Sequence, residues 1–289
     1  MRKGAWLLLG VLFLARGPAC QAASAKRGIC AKDLSAEDFK ALSPGVSWWT
    51  NWHFEPDGSP LPEGPEFLPM LWSGHPDLWK GLEGRLKGGP RPRAILAINE
   101  PNLKNQAGMT PQATAEAFLR LRKLASRHGV PLVGPQMALG SAADNSVKDW
   151  DPVQKKEVLY TYMIPFLDAF RLHLGSEPMP DLGVHCYGNA GELKWAVGEL
   201  ASRYGVKIWV TEFNEWKASD PASRMAYLIE AVKFLEESPH VAGYAWFMSR
   251  MGDDNPQGLL EKEPGKLSDL GQAYVGAPAG KAAPGPIRP

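Results

Sequence analysis

The tightest constraint on this chain is an alternation that recurs along most of its length. Apolar, often β-branched runs occur at Val46 to Trp52, Glu66 to Trp72, Ala94 to Asn99, Pro131 to Gln136, Asp181 to Tyr187, Lys207 to Phe213 and Ala242 to Met248. Such runs read as strands. Between the later ones lie helical patterns, at Thr110 to Gly129, Glu157 to Leu174, Gly191 to Tyr204 and Asp220 to Glu237. Thr110-Pro111 and Asp220-Pro221 each supply a capping residue followed by proline in the first turn, and Gly129 closes the clearest helix. A shorter helical patch, Leu34 to Leu42, ends at Ser43-Pro44-Gly45. Strands that alternate with helices predict a parallel sheet.

Residues 26–276 come close to the ~250 of a (β/α)8 barrel, so the expected fold is α/β, a single-domain TIM barrel. A doubly wound open sheet is the alternative. Seven strands are legible where a barrel needs eight, and the eighth is expected before Glu100, among the proline-rich residues 53–65 or 73–92.

The flanks have their own composition. Residues 1–25 carry Arg2 and Lys3, an apolar run from Ala5 to Ala15, and the small residues Ala23-Ser24-Ala25, the three parts of a secretory signal with cleavage expected after Ala25. Export follows from this reading. A lipid anchor on Cys20 is the poorer alternative, because Gly17-Pro18 stands where an aliphatic residue is usual. Residues 277–289, rich in Pro, Gly and Ala, read as a disordered tail.

Composition narrows the partners. With 32 basic against 31 acidic side chains, the chain offers no electrostatic footprint for nucleic acid or an anionic membrane, and a monomer is expected. No C-x-x-C pair and no H-E-x-x-H occurs, so structural zinc and the familiar zinc-hydrolase arrangement both lack their signature. Cys30 and Cys186 leave a disulfide open without implying one.

In a barrel the chemistry sits where strands end at their carboxyl side. Asn99-Glu100-Pro101 leaves one strand in a proline turn, and Thr211-Glu212 ends another. Counting back from Ala242 to Met248 as the eighth strand makes these the fourth and seventh, which face one another across the barrel mouth. Two facing carboxyl groups only ~5–5.5 Å apart are what retaining glycoside hydrolysis requires, one protonating the leaving oxygen and the other attacking the anomeric carbon. Either glutamate alone could equally be a cap or an ion-pair partner; the pair beside Asn99 is more specific. Glu215 competes with Glu212 for the attacking role, but falls beyond the strand end.

These residues reach a resemblance. Asn99-Glu100-Pro101 with Thr211-Glu212 resembles the clan A glycoside hydrolases, with acid/base on strand four and nucleophile on strand seven. Gly45-Val46-Ser47-Trp48-Trp49, Pro69-Met70-Leu71-Trp72, Gln106-Ala107-Gly108-Met109-Thr110-Pro111, Gly134-Pro135, His185-Cys186-Tyr187-Gly188 and Trp209-Val210-Thr211-Glu212-Phe213 narrow it to glycoside hydrolase family 128, whose members act on β-1,3-glucans. One departure is Cys186, where a bulky aromatic residue is expected. Strand alternation turns it toward the helices and leaves His185 and Tyr187 facing inward.

The resemblance implies Glu100 as general acid/base, Glu212 as nucleophile and Asn99 as partner of the sugar 2-hydroxyl. Tyr187 could orient Glu212, and His185 could contact sugar or carboxylate. Trp48, Trp72 and Trp246 could present indole faces to pyranose rings, Trp246 being the foremost of the three. Core packing is the competing account for all five. Trp216, close behind Glu212, is a candidate for the loop around the site. The expected activity is an exported, retaining β-1,3-glucanase, endo-acting, with neither a metal nor an organic cofactor. The alternatives are a retaining hydrolase of another β-glycan, such as mannan or xylan, and a non-hydrolytic β-glucan-binding protein on the same barrel.

Overall fold

The computed structural model describes residues 23–58, 63–218, 220–252 and 256–280. Its strands are β1 (Arg27–Cys30), β2 (Trp48–Thr50), β3 (Glu66–Phe67), β4 (Met70–Leu71), β5 (Ile95–Ala97), β6 (Leu132–Ala138), β7 (Lys148–Asp151), β8 (Lys156–Leu159), β9 (Asp181–Cys186), β10 (Ile208–Phe213) and β11 (Val241–Phe247). The helices are α1 (Ala36–Leu42), α2 (Pro76–Gly88), α3 (Pro111–His128), α4 (Met163–His173), α5 (Ala190–Tyr204), α6 (Pro221–Glu237) and α7 (Asp269–Gly276).

One sheet runs in the order β3-β2-β1-β11-β10-β9-β6-β5-β4, with every pairing parallel. Only Leu68 and Pro69 separate β3 from β4. The first pairs with β2 and the second with β5, so this interrupted strand closes the sheet into a barrel of eight staves. The expected (β/α)8 fold is the one observed.

The eighth strand is β1, not a segment of residues 53–65 or 73–92. It lies just ahead of the Leu34 to Leu42 helical patch, where a run of only four residues, headed by Arg27 and preceded by Lys26, hides its strand character. Residues 73–92 instead contain α2, capped by the His75 side chain with Pro76 in the first turn. The expected helix over Glu157 to Leu174 also divides. Lys156–Leu159 pairs antiparallel with Lys148–Asp151 in a hairpin, and α4 starts only at Met163. A short apolar run cannot distinguish helix from strand by periodicity alone.

Caps account for the helices that were legible. Thr110 accepts from the Ala113 N–H, Asp220 from the Ser223 N–H, and Asn189 with Glu192 forms a reciprocal capping box. Gly129 and Gly205 end α3 and α5 in the left-handed region.

The core has two layers. Between strands and helices packs a large cluster that includes Phe39, Phe118, Phe166, Leu193, Phe213, Tyr227, Trp246 and Tyr274. Inside the barrel a smaller one holds Trp48, Leu68, Met70, Leu96, Val133, Trp209 and Ala245. Trp48 and Trp209 cross edge to face at 5.5 Å, and a Cβ at Gly28 would lie 2.2 Å from the Trp48 ring, so glycine is required there.

At the amino end of the barrel Arg27 bonds Glu236 at 2.7 Å and the Pro278 carbonyl at 3.0 Å, while Gly280 N–H donates to Glu236. The first residues of the expected tail therefore pack on the barrel; residues 281–289 lie outside the described residues. Ser24 also donates to Glu236, at 2.9 Å, a bond that cleavage after Ala25 would remove. The rest of the expected signal, Cys20 included, lies outside the described residues apart from Ala23 and Ala25. Cys30 and Cys186 are both free and buried. Cys186 sits in the outer cluster among helix residues, as alternation predicts. Among the described residues no helix is long and apolar enough to cross a membrane.

Candidate active site

The carboxyl ends of the strands surround a cavity of about 500 Å3 lined by Lys32, Trp52, Trp72, Asn99, Glu100, Gln106, Tyr187, Glu212, Trp216, Phe247 and Met248. Two local irregularities aim the glutamates into it. Along the fourth stave Leu96 faces the barrel interior and Ile95 and Ala97 the helices. Strict alternation would then place Asn99 and Glu100 on opposite faces. Ile98 and Glu100 adopt φ of 50° and 41°, and both Asn99 and Glu100 reach the cavity. Left-handed backbone at such residues is uncommon and costs about 1–3 kcal/mol, a strain that marks functional positions.

In the seventh stave the pairing of β10 with β9 shifts between Val210 and Glu212, so that Val210 opposes Val184 and Glu212 opposes His185. The extra residue is Thr211, whose hydroxyl donates to Gln136 Oε1 inside the barrel at 2.6 Å. A bulge of this kind re-aims the next side chain. Gln136 in turn donates to the Val133 carbonyl, and a Cβ at Gly183 would lie 1.8 Å from its Oε1, so the brace beneath the site needs a glycine beside it.

Between the two carboxylates stands His185. Its Nδ1 is 2.9 Å from Glu100 Oε1 and 3.3 Å from Glu212 Oε2. One oxygen from each glutamate and one imidazole nitrogen all lie within 4.8 Å of one another. Tyr187 donates its hydroxyl to Glu212 Oε2, and Trp52 donates its indole N–H to Glu212 Oε1 at 2.6 Å. Trp52 holds this pose with φ of 65°.

Burial pushes the Glu212 carboxyl up, and repulsion from Glu100 adds to it. His185, Tyr187 and Trp52 pull the other way without cancelling the rise. Burial alone would lower His185, but the negative charge of Glu212 and the bond and charge of Glu100 outweigh it and raise the imidazole. Burial and the Glu212 charge raise the Tyr187 phenol, keeping it a donor. Charge is thus shared over a tightly coupled cluster. The same three ligand atoms of Glu100, His185 and Glu212 could hold a divalent cation.

Asn99 donates Nδ2 to Gln106 Oε1 at 3.1 Å, while its Oδ1 is buried without a partner. Trp72 lines the cavity as expected. Trp48 and Trp246 do not. Trp48 is fully buried in the barrel floor, its indole donating to the Lys26 carbonyl at 2.9 Å. Trp246 is 1% exposed and faces the helices, donating to the Gln257 carbonyl and packing on Phe213 at 5.1 Å. Alternation along β11 turns its neighbour Phe247 inward instead.

Sequence reasoning missed Trp52, Phe247, Met248 and Lys32 as lining residues. Trp52 sits two residues past β2, at the carboxyl end where site residues gather, which was the available signal. Trp216, 42% exposed, stacks on Tyr187 at 5.2 Å and forms one wall. Glu215 does not line the cavity.

A closed parallel barrel with two glutamates converging at the ends of its fourth and seventh staves defines a glycoside hydrolase. The sequence matches the family described as Glycosyl hydrolase catalytic core over residues 28–274. An endo-β-1,3-glucanase of glycoside hydrolase family 128, subgroup II, from Pseudomonas viridiflava is 33% identical with a TM-score of 0.74, the alignment covering 89% of this chain and 99% of that one. A subgroup II endo-β-1,3-glucanase from Sorangium cellulosum is 31% identical over 88% and 99% of the two chains, also at 0.74. A subgroup III curdlan-specific exo-β-1,3-glucanase from Blastomyces gilchristii is 26% identical over 89% and 100%, at 0.64. The chain belongs to glycoside hydrolase family 128. No curated protein sequence matches it.

Proposed function

We propose that this glycoside hydrolase cleaves β-1,3-glucan with retention of configuration, acting within the chain, and that it is exported. The observation that carries the mechanism is the convergence of Glu100, His185 and Glu212 within 4.8 Å. One oxygen of each glutamate brought that close suits direct attack by a carboxylate, the arrangement in which the two carboxyl groups stand only ~5–5.5 Å apart. The substrate follows from the solved relatives, which include subgroup II endo-β-1,3-glucanases. Support for internal cleavage comes from a second cavity of about 470 Å3 that shares Lys32, Trp52 and Trp72 with the first, so that the cleft continues beyond the glutamates. Export rests on the signal pattern of residues 1–25.

In this reading Glu212, oriented by Trp52 and Tyr187, attacks the anomeric carbon while Glu100 gives its proton to the departing glycosidic oxygen. The C–O bond to the leaving sugar breaks, and a glycosyl ester forms on Glu212. Esterification removes the Glu212 charge. Glu100 then takes a proton from water, whose oxygen attacks the same carbon and frees Glu212. The sugar 2-hydroxyl supplies the hydrogen bond that Asn99 Oδ1 lacks, a contact that strengthens as the oxocarbenium character develops.

The test is incubation of the purified chain with linear β-1,3-glucan, mannan and xylan, with products sized and the first-formed anomer followed by NMR. Short oligosaccharides from β-1,3-glucan, appearing first as the β-anomer, are expected. An α-anomer overturns the double displacement, cleavage of mannan or xylan instead overturns the substrate, and binding without cleavage returns the non-hydrolytic reading.

A further inference from the structure

The connection from β6 to α4 is the β-hairpin β7–β8, and it leaves the barrel at the same end as the active site. It is joined to the turn that follows Glu100. Leu103 bridges to Ser146, Lys104 N–H donates to the Asn145 carbonyl at 2.8 Å, Asn105 N–H to Asn145 Oδ1 at 3.0 Å, and Val147 N–H to the Asn102 carbonyl at 3.3 Å. The insertion and the loop carrying the acid are therefore one continuous piece of rim.

The register of the hairpin sorts its side chains. Lys148 opposes Leu159 and Trp150 opposes Glu157, so these four share one face. Asp149 and Asp151 point to the other, where Asp151 is 1% exposed and accepts the N–H groups of Val153 and Gln154 in the turn. On the outer face Trp150 is 56% exposed and Leu159 36% exposed, and Lys148 pairs with Glu157 at 2.6 Å. An exposed indole held on a hydrogen-bonded strand beside a lysine–glutamate pair offers an apolar surface together with polar donors and acceptors.

Resting on the glucanase reading, we propose that this outer face, centred on Trp150, is a second binding surface for polymeric β-glucan outside the catalytic cleft. Two observations select that occupant. A polymer threaded through the cleft must leave across its rim, and this hairpin is bonded to the rim at the acid-bearing loop. The hairpin is also electrically balanced, since Lys148, Lys155 and Lys156 offset Asp149, Asp151 and Glu157. An uncharged polysaccharide suits such a face, whereas nucleic acid or an acidic peptide would call for a net positive one. Stacking of an aromatic ring on a sugar uses the same contact area that makes indoles strong anchors.

The experiment compares the parent chain with Trp150→Ala and Trp150→Phe in two assays, retention on insoluble linear β-1,3-glucan and kcat/KM on a short soluble β-1,3-gluco-oligosaccharide. Trp150→Ala should weaken retention by roughly 3- to 10-fold, with Trp150→Phe recovering most of it, while kcat/KM on the oligosaccharide stays at the parent level. Unchanged retention overturns the proposal. So does an equal fall in both assays, which would place Trp150 in the service of the cleft or the fold. A parent chain that leaves the oligosaccharide uncut overturns the glucanase reading itself, an outcome distinct from a failure of the hairpin alone.

Discussion

At the amino end of the barrel Arg27 is 1% exposed, and each of its side-chain nitrogens donates. Nε reaches Tyr244, Nη1 the carbonyls of Tyr274 and Ala277, and Nη2 Glu236 and the Pro278 carbonyl. Beside it Lys26 donates to the carbonyls of Glu236 and Ser238. At the carboxyl end Glu212 is equally buried, at 5% exposed, yet its carboxylate faces an open cavity with a second carboxylate close by. Taking a charge out of water costs several kcal/mol unless hydrogen bonds and an opposite charge offset it.

The offset succeeds at one end only. Burial alone would raise Glu236, but Tyr244, the Gly280 N–H, Ser24 and Arg27 together hold its carboxyl below the ordinary range. Glu212, with Glu100 opposing it, ends above that range. One end spends its buried charge on holding the barrel together, and the other keeps a carboxylate in an unfavourable state that a reaction can use.

The largest effect that could break this contrast is on activity. Glu212→Gln should lower turnover on the order of 10³-fold or more while the melting temperature holds or rises, read by kinetics and calorimetry. A variant that keeps turnover, or that unfolds, would place Glu212 among the structural charges. Glu236→Gln should do the reverse. Removing one partner of a buried pair costs about 3–5 kcal/mol, a fall of roughly 10 °C for a domain of this size, with kcat of the folded fraction retained.

A smaller change sharpens the account of the catalytic end. Trp52→Phe keeps an aromatic ring, though a smaller one, and removes the N–H from which Glu212 accepts. A hydrogen bond to a charged group is worth about 1.5–3 kcal/mol, so kcat should fall roughly 10- to 100-fold with little change in KM. An equal rise in KM would make Trp52 a sugar contact instead.

The smallest effect is on pH dependence, and its sign differs between the ends. Glu236 has a folded value below its ordinary one, so its stabilisation is full above the ordinary glutamate range and is lost as pH falls through the lowered value. The melting deficit of Glu236→Gln should therefore shrink in acid. Glu212 and His185 are both raised, so their end favours proton binding and loses stability as pH rises through the raised values. Glu212→Gln should narrow that loss on the alkaline side, measured as melting temperature against pH.

The barrel was legible where a strand run was long or a helix opened on Thr-Pro or Asp-Pro, but not at α2, whose cap is His75. Thr110-Pro111, Asp220-Pro221 and Gly129 mark real helix ends, because caps act locally. β1 escaped because Lys26 and Arg27 look like surface residues until Glu236 and Tyr244, more than two hundred positions away, are packed against them. The hairpin escaped because Lys156–Leu159 carries too few residues to separate a period of two from one of 3.6.

In the site, the sequence by itself determined which residues stand at strand ends. Proline after Glu100, the β-branched run before Glu212, and the inward alternation of His185 and Tyr187 around Cys186 are all local signals. The tertiary structure decided depth and direction. As strand indoles Trp48, Trp72 and Trp246 are all candidates, Trp246 the foremost, yet only Trp72 lines the cavity, while Trp48 fills the barrel floor and Trp246 faces the helices. Strict alternation would have separated Asn99 from Glu100 and Thr211 from Glu212. The left-handed turns at Ile98 and Glu100 and the bulge at Thr211 bring the glutamates together, and those irregularities exist only because neighbouring strands, closed into a ring, fix a register that no single strand specifies.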